Sequence, residues 1–307
     1  QMKKLVIYCF LSMLTVRSVA QHSHEPALVS HLPAFQDSLL SLSKQFINNE
    51  SEPERYNANY QFIKTLVEAL KEPKSFYFEF DSLKTISIVN APDKKFRIFT
   101  WHVLNDDGSY RFYGTIQLNT SDGKLKLFPL SDYSAFIQNP ATQELKTEEW
   151  FAAQYYQVLE VNQTTANPYY VLLGWKGKNT NSTQKVIEVL RFVNGIPYFG
   201  LAVFDGNTQY AGNKRIIFEY SREVSMYLKY DYTKEQLVFD HLAPINSEFK
   251  NDYSKYGPDM TYDAFQVSKG RLKFQSNLVL NNAPSDKDDL FNDPKKLKQN
   301  TQPIRKY

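Results

Sequence analysis

Cysteine is nearly absent from this sequence of 307 residues, which contains only Cys9. Cys9 lies in a predicted export signal, so we expect a mature chain with neither a disulfide nor a thiol nucleophile. An exported protein without disulfides must be held together by burial of apolar surface. A mature chain of about 290 residues is long enough for a sizeable core, and 42% of the whole sequence is hydrophobic and 15% aromatic.

Long apolar runs are also lacking, except at the N-terminus. Lys3 and Lys4 precede a largely apolar stretch at 5–16, and small residues occupy positions minus three and minus one of a cut after Ala20. The stretch is shorter than the roughly 20 residues that span a bilayer, which disfavours the alternative of an uncleaved membrane anchor. The pattern predicts a secretory signal peptide over residues 1–20.

The chain has no marked excess of either charge. It contains 36 basic and 33 acidic residues, and Lys3, Lys4 and Arg17 belong to the predicted signal peptide, which leaves 33 basic residues against 33 acidic ones. A neutral chain has no basic field to attract nucleic acid or an anionic membrane. We therefore expect a soluble extracytoplasmic protein, periplasmic or secreted, with no nucleic-acid partner and no transmembrane span after cleavage.

The first helical patterns of the sequence lie in the segment 21–74. Apolar residues recur there at steps of three and four in two stretches, which are separated near Pro53 and end at Pro73. The pattern predicts an antiparallel helical pair. Its apolar stripes are Leu32, Phe35, Leu39, Leu42 and Phe46, followed by Tyr56, Tyr60, Ile63, Val67 and Leu70.

A period of two dominates residues 75–280. Aromatic and β-branched runs are separated by turn pairs, of which Asn194-Gly195 is the strongest hairpin signal. Short hairpin connections exclude an alternation of strands and crossover helices. The sequence therefore predicts a mainly β (α+β) fold with one compact β-rich domain, either an antiparallel β-sandwich or a barrel-like double sheet, preceded by the helical pair.

Three segments carry more local expectations. "SFYFEF" (75–80) alternates and is predicted to be the first strand. "KTEEWFAAQYYQV" (146–158) does not alternate and is predicted to be a short central helix. Residues 281–307 are polar, charged and rich in proline, which is typical of a loose flexible tail.

The β-rich region contains several distinctive segments. They are "FRIFTW", "DDGSYRFYG", "YYVLLGWKGKNTNSTQKVIEVL", "KRIIFEYSREVSMYLKYD", "VFDHLAP" and "YGPDMTYDAF". Together they resemble a family of uncharacterised exported proteins of Bacteroidota over residues 75–280. The resemblance implies an exported or cell-envelope setting and no activity.

Asp240 and His241 in "VFDHLAP" are the catalytic candidates. An aspartate can orient a histidine base, as in hydrolytic triads, but adjacent residues of a strand point to opposite faces. The structural interpretation is that Asp240 accepts backbone N–H bonds in a turn, with strand pairing ending by about Leu242 because of Pro244. We expect Asp240→Asn and His241→Gln to lower thermal stability.

Asp259 and Asp263 are the candidate metal ligands, with Asp240 as a third oxygen donor for calcium. Calcium loops place acidic residues and carbonyls at alternate positions, whereas three residues separate this pair and no EF-hand pattern exists. Aspartates after Gly-Pro more often cap turns. The five histidines have no zinc-ligand spacing, and we expect neither a metal nor a cofactor.

Trp175 and Trp101 are the candidates for ligand contact. Tryptophan rings stack on sugars and other rings, although β-rich cores also take aromatic residues for packing alone. Trp175 is the stronger candidate because it ends an apolar run just before the polar loop "KGKNTNST". A half-exposed ring at a rim is the arrangement that we expect there.

These observations favour a non-enzymatic function. No G-x-S-x-G elbow and no cluster of metal-ligand motifs accompanies the candidates. We therefore expect an exported soluble binding or structural module of the cell envelope, with a glycan, a peptide or an envelope protein as partner. The alternative is an extracytoplasmic hydrolase that uses Asp240 and His241.

Overall fold

The computed structural model describes residues 30–161 and 168–278. The predicted signal peptide (1–20) and the predicted tail (281–307) lie outside the described residues. Within the described part, two helices precede three sheets with mainly antiparallel pairing. This confirms the expected mainly β fold with an N-terminal helical pair. None of the helices described is long and apolar enough to cross a membrane.

The helical pair consists of α1 (Leu32–Asn48) and α2 (Glu52–Lys71). Each helix has a proline in its first turn, Pro33 and Pro53, where the missing N–H has no intrahelical partner to lose. The buried side chains recur at helical spacing, so each helix presents one apolar face to the protein. They include Leu39, Phe46, Phe62, Leu66 and Leu70.

The described residues form 14 strands. In chain order they are β1 (Ser87–Asn90), β2 (Phe96–Leu104), β3 (Tyr110–Leu118), β4 (Leu127–Ser131), β5 (Gln154–Val161), β6 (Tyr169–Gly177), β7 (Ser182–Val193), β8 (Ile196–Phe199), β9 (Phe204–Asp205), β10 (Ile216–Ser221), β11 (Leu228–Asp231), β12 (Gln236–Pro244), β13 (Tyr256–Ser268) and β14 (Arg271–Leu278).

The strands are distributed over three sheets. Sheet 1 has the order β1-β2-β3-β4, sheet 2 the order β10-β7-β6-β5 with β8 added to β7, and sheet 3 the order β11-β12-β13-β14-β9. Among the strands of the described residues, only the short β9 pairs in parallel, with β14. The predicted hairpin at Asn194-Gly195 is confirmed: both residues have positive φ, and Val193 pairs with Ile196.

The helices and the three sheets stack as four layers, with apolar cores between them. In β2, Trp101 belongs to the core under the helices, whereas Ile98 belongs to the core between sheets 1 and 2. In β6, Leu172 faces that same core and Val171 faces the core between sheets 2 and 3. Sheet 2 is therefore buried on both faces, and its central strands are apolar at consecutive positions.

The expected double sheet is thus replaced by three sheets, each open at its edges. The sandwich alternative describes the packing, with one additional layer. Period-two alternation defines which residues share a face but does not define how many sheets the faces belong to. The division became visible only from the strand pairing.

The prediction of a first strand at residues 75–80 was wrong. Ser75–Tyr77 forms a 3-10 helix, and Phe80 has a positive φ of 53°. The buried Arg97 donates to the backbone carbonyls of Ser75 and Phe78 at 2.7 Å each. A side chain of β2 therefore satisfies carbonyls that a neighbouring strand would otherwise bind.

The prediction of a central helix at residues 146–158 was also wrong. Only Thr147–Glu149 is helical, as a 3-10 turn, and β5 begins at Gln154. The four residues between them are all buried, and Ala152 has a φ of 65°, which an α-helix does not accommodate. Because these four consecutive residues are all buried, the sequence is apolar there without the alternation that a half-exposed strand would show.

Strand pairing does not stop at Leu242. β12 continues to Pro244, which pairs with Tyr256, and the register shifts between Asp240 and Leu242. The bulge leaves His241 without a cross-strand partner. A β-bulge interrupts the ladder and re-aims side chains without ending the strand, which the proline signal alone could not reveal.

Candidate functional site

A cavity of about 660 Å³ lies at the end of β6 and is lined by residues of sheets 1 and 2 and of neighbouring loops. We call it the lysine cleft. Its volume is within the range of small-molecule sites, roughly 300 to 1,000 Å³. The residues used below to describe its wall are Tyr110, Ser134, Phe151, Lys176, Glu219 and Tyr253.

Lys176 is the buried cation of the lysine cleft. It is the penultimate residue of β6 and is only 7% exposed. Its ammonium lies 4.7 Å from the ring centre of Phe112 and 5.1 Å from that of Phe151. Burial lowers the pKa of Lys176 to about 8; the nearby Asp132 acts against this shift and Arg111 adds to it. The amine therefore titrates in mildly alkaline solution, well below the usual range of a lysine.

A chain of hydrogen bonds joins Lys176 to an acidic residue through a serine. Lys176 Nζ donates to Ser134 Oγ at 3.1 Å, and Ser134 Oγ donates to Asp132 Oδ1. The carboxylate is held by two further donors, the backbone N–H groups of Ser134 (3.1 Å) and Phe112 (3.0 Å). No carboxylate of the described residues forms a direct ion pair with Lys176.

Glu219 of β10 organises the opposite wall of the lysine cleft. Its carboxylate accepts from Lys178 Nζ at 2.8 Å, from Ser182 Oγ at 2.8 Å and from Gln184 Nε2 at 2.9 Å. Three donors satisfy this carboxylate locally. The negative charge of Glu219 is therefore not available to neutralise Lys176.

The two tryptophan candidates have different surroundings. Trp101 is 3% exposed, donates from Nε1 to Asn59 Oδ1 at 2.7 Å, and is packed under the helices. Trp175 is partly exposed and packs 5.4 Å from Tyr110, centre to centre. Trp101 thus has no ring face open to a ligand in this structure. Trp175 packs against Tyr110, whose ring forms part of the wall of the lysine cleft.

Asp240 and His241 line a second, smaller depression of about 150 Å³, which we call the histidine depression. The bulge at His241 brings both side chains to one depression, in contrast to the opposite faces that regular alternation predicts. They are nevertheless held by different partners: Asp240 Oδ2 accepts the N–H of Tyr227 at 2.6 Å. Burial raises the pKa of Asp240, which the Tyr227 bond opposes.

His241 is oriented by Asp263 of β13. The distance from His241 Nδ1 to Asp263 Oδ2 is 2.9 Å, and His241 Nε2 lies 4.0 Å from Asp259 Oδ2. The side chain of His241 is 49% exposed. Among the described residues, no hydrogen bond joins Asp240 and His241. The structure thus pairs the histidine with a carboxylate 22 positions away.

Asp259 and Asp263 have local structural partners. Asp259 Oδ1 accepts from the backbone and the hydroxyl of Thr261, and Asp263 Oδ1 accepts the N–H of Asn277 at 3.1 Å. In residues 30–161 and 168–278, no three His, Cys, Asp or Glu side chains are grouped closely enough to hold a metal ion. The contacts of Asp259 are the local side-chain-to-backbone bonds that aspartates favour, whereas Asp263 binds the backbone of the neighbouring strand β14.

The two cavities are neighbours along the edge strand of sheet 2. Ile217, Glu219 and Tyr253 line both of them. Sequence reasoning found the histidine depression but missed the lysine cleft, whose key residues Ser134 and Lys176 lie 42 positions apart. One available signal was a lysine at the end of the otherwise apolar run of β6.

Comparison with family models, with curated proteins and with solved structures returned no match.

Proposed function

We propose that this protein is an exported binding module whose ligand, a glycan or a peptide with an anionic group, occupies the lysine cleft. The observation that carries the proposal is the buried ammonium of Lys176, which borders a cavity of about 660 Å³ and has a hydroxyl as its hydrogen-bond partner. Buried charges are normally paired. A ligand carboxylate would supply the missing partner.

The lining of the cleft supports a polar organic ligand. Tyr110 and Tyr253 provide aromatic rings, and Gln184 and Lys178 provide polar groups of the lining. Rings that stack on a ligand, together with a few fixed polar groups, are the usual composition of such sites. The anionic group would approach Lys176, and the remainder of the ligand would contact the rings.

Calorimetric titration tests the proposal. The ligands are oligosaccharides that contain uronic acids, peptides with a free C-terminal carboxylate, and the neutral counterparts of both, in which the carboxyl groups are reduced or amidated. We expect an acidic ligand to bind the wild type and to bind Lys176→Met at least about tenfold more weakly, because a charge-assisted hydrogen bond contributes roughly 1.5 to 3 kcal/mol.

Lys124→Met is the matched control, because Lys124 is exposed and lies in the turn between β3 and β4, outside the lysine cleft. It should bind as the wild type does. Equal affinity of the wild type and Lys176→Met for every acidic ligand, or an equal preference for the neutral counterparts, would contradict the proposal.

Export and a cell-envelope location are part of the same proposal. They are supported by the basic pair and apolar stretch before Ala20, and by the resemblance to exported proteins of Bacteroidota. Mass spectrometry of the protein from an envelope or culture fraction should find Gln21, or its cyclised form, as the first residue. Recovery of the intact start at Met2 in a membrane fraction would contradict cleavage.

The geometry favours this function over a hydrolase that uses Asp240 and His241. Asp240 is bound to the backbone of Tyr227, and His241 is oriented by Asp263 instead. A catalytic pair of adjacent residues requires a hydrogen bond between them or a shared substrate atom. The contacts of Asp240 fit the structural interpretation of this residue.

A further inference from the structure

Ser134 combines three features that its role in a binding wall does not require. It is partly exposed to the lysine cleft, it accepts a hydrogen bond from a buried amine, and it donates to a buried carboxylate. We propose that Ser134 is a nucleophile for acyl transfer from an ester or amide bound in the lysine cleft, with Lys176 as its general base. The inference rests on the proposed function in that it uses the same cleft.

The distances fit this chemistry. Lys176 Nζ lies 3.1 Å from Ser134 Oγ, which is within the roughly 2.6 to 3.2 Å that proton transfer between a nucleophile and its base requires. Asp132 positions the serine by accepting the N–H of Ser134, and it also accepts the Ser134 hydroxyl while Lys176 is protonated and donates to Oγ. Pairs of serine and lysine perform such catalysis on several unrelated folds.

The environment of Lys176 makes the amine usable as a base. The rings of Phe112 and Phe151 replace water around Nζ, and this burial lowers the pKa to about 8. Two charged groups face the amine: Asp132, which favours the protonated form, and Arg111, which disfavours it. A large fraction of Lys176 is thus neutral in mildly alkaline solution, whereas an exposed lysine with a pKa of about 10.4 is almost fully protonated.

The proposed step is balanced in atoms and charge. When Lys176 is neutral, its Nζ can accept a hydrogen bond, and the Ser134 hydroxyl turns its single proton from Asp132 to Nζ. Lys176 then takes this proton as Oγ forms a bond to the carbonyl carbon of the ligand, and the electron pair of the carbonyl moves onto its oxygen. The bond to the leaving alcohol or amine then breaks, and Lys176 returns the proton to that group. Water subsequently attacks the acyl–serine carbonyl with Lys176 as base again, which releases the acid and restores the hydroxyl.

Covalent labelling with a fluorophosphonate tests the nucleophile directly. Ser134 Oγ would attack phosphorus with loss of fluoride, and intact-mass and peptide measurements would locate one phosphonyl group on Ser134. We expect the labelling rate to rise with pH around a midpoint of about 8, following the deprotonation of Lys176. Labelling elsewhere, or none on Ser134, would overturn the inference.

Variants separate activation from simple accessibility. Ser134→Ala should abolish labelling, and Lys176→Met should slow it at least about tenfold and remove the pH midpoint. Ser38→Ala on the exposed face of α1 and Lys124→Met are the controls and should label as the wild type does. Equal rates for the wild type and Lys176→Met, with both folded by circular dichroism, would show that Lys176 is not the base.

Failure of this inference differs from failure of the proposed function. If acidic ligands bind in a manner that depends on Lys176 but Ser134 is not labelled, the cleft binds without acyl transfer. If Ser134 is labelled with the expected pH profile but no acidic ligand binds, the acyl-transfer inference stands and the proposed ligand class is wrong.

Discussion

Arg215 and Glu188 form an ion pair in which both side chains are completely buried, with 2.7 Å between Arg215 Nε and Glu188 Oε2. The remaining donors of Arg215 bind backbone carbonyls, among them those of Gln143 (2.9 Å) and Phe199 (3.3 Å). Glu188 also accepts the N–H of Val189. Every strong polar group of the pair is thus satisfied in a dry environment, where an unpaired charge is costly.

Removal of one partner of this pair should destabilise the protein strongly. Arg215→Met leaves Glu188 as an uncompensated buried carboxylate and also frees backbone carbonyls. We expect the free energy of unfolding to fall by about 3 to 5 kcal/mol, measured by urea denaturation. Arg191→Met is the control, because the pair of Arg191 with Glu144 is partly exposed and should contribute about 0 to 1 kcal/mol. A similar loss in both variants would contradict this account.

Lys176 should make the stability of the protein depend on pH. Its pKa is about 8 in the folded protein and about 10.5 when unfolded, so between these values the unfolded chain binds more protons. The free energy of unfolding contributed by Lys176 therefore rises with pH in this window. Relative to Lys176→Met, the wild type should gain stability from about pH 8 to about pH 10.5.

Urea denaturation of both proteins at several pH values in this range measures the difference, which cancels the titration of groups that they share. Lys124→Met should follow the wild type, since Lys124 is exposed. A constant difference between the wild type and Lys176→Met across the range would show that the amine is not desolvated in the folded protein.

The structure revises the expectation for Asp240→Asn. An asparagine oxygen can still accept the N–H of Tyr227, and burial raises the pKa of Asp240, so the charge itself is unfavourable there. We expect Asp240→Ala to cost about 1 to 3 kcal/mol through the unsatisfied N–H and Asp240→Asn to cost less than half of that. Thermal denaturation measures both. An equal loss in the two variants would mean that the negative charge is required.

Gly177 at the end of β6 should be intolerant of a side chain. A Cβ at this position would lie 2.5 Å from Cε2 of Tyr110, so the ring that lines the lysine cleft would have to move. Gly177→Ala should lower the free energy of unfolding by about 1 to 3 kcal/mol and weaken ligand binding in the cleft.

Gly257→Ala is the matched control, because its nearest neighbour is Val224 Cγ2 at an ordinary 3.5 Å. Neither glycine has a positive φ, so backbone strain does not distinguish the two substitutions. Unchanged stability and ligand affinity of Gly177→Ala would show that Tyr110 is not confined by β6.

Local patterns were sufficient for the elements whose signals are local. The stripes that contain Leu39 and Phe46 predicted α1 because helical neighbours are three and four residues apart. Asn194-Gly195 predicted the hairpin because its conformation is set by two residues. The class of the fold followed from such signals, since short connections between strands permit only antiparallel neighbours.

Sequence periodicity alone gave wrong predictions where a segment is buried by more than one layer. Trp150 and Phe151 are buried together with the next two residues, so neither helical nor strand periodicity survives. This irregular segment and the start of β5 were mistaken for a helix. Phe78 and Ser75 looked like a strand, but their carbonyls bind Arg97. Such cases depend on partners that are distant in the chain.

The sequence by itself determined the helical pair, the antiparallel class and the turn that begins after β7, because each depends on residues within a few positions of one another. Only the tertiary structure decided that His241 pairs with Asp263 and that Lys176 meets Ser134. The first contact joins neighbouring strands of sheet 3 at a bulge, and the second joins β6 to the 3-10 turn that follows β4. Their formation depends on register, on the bulge and on layer packing. Register, bulges and layer packing cannot be deduced from the spacing of residues along the chain. The candidate site therefore became visible only in the folded protein.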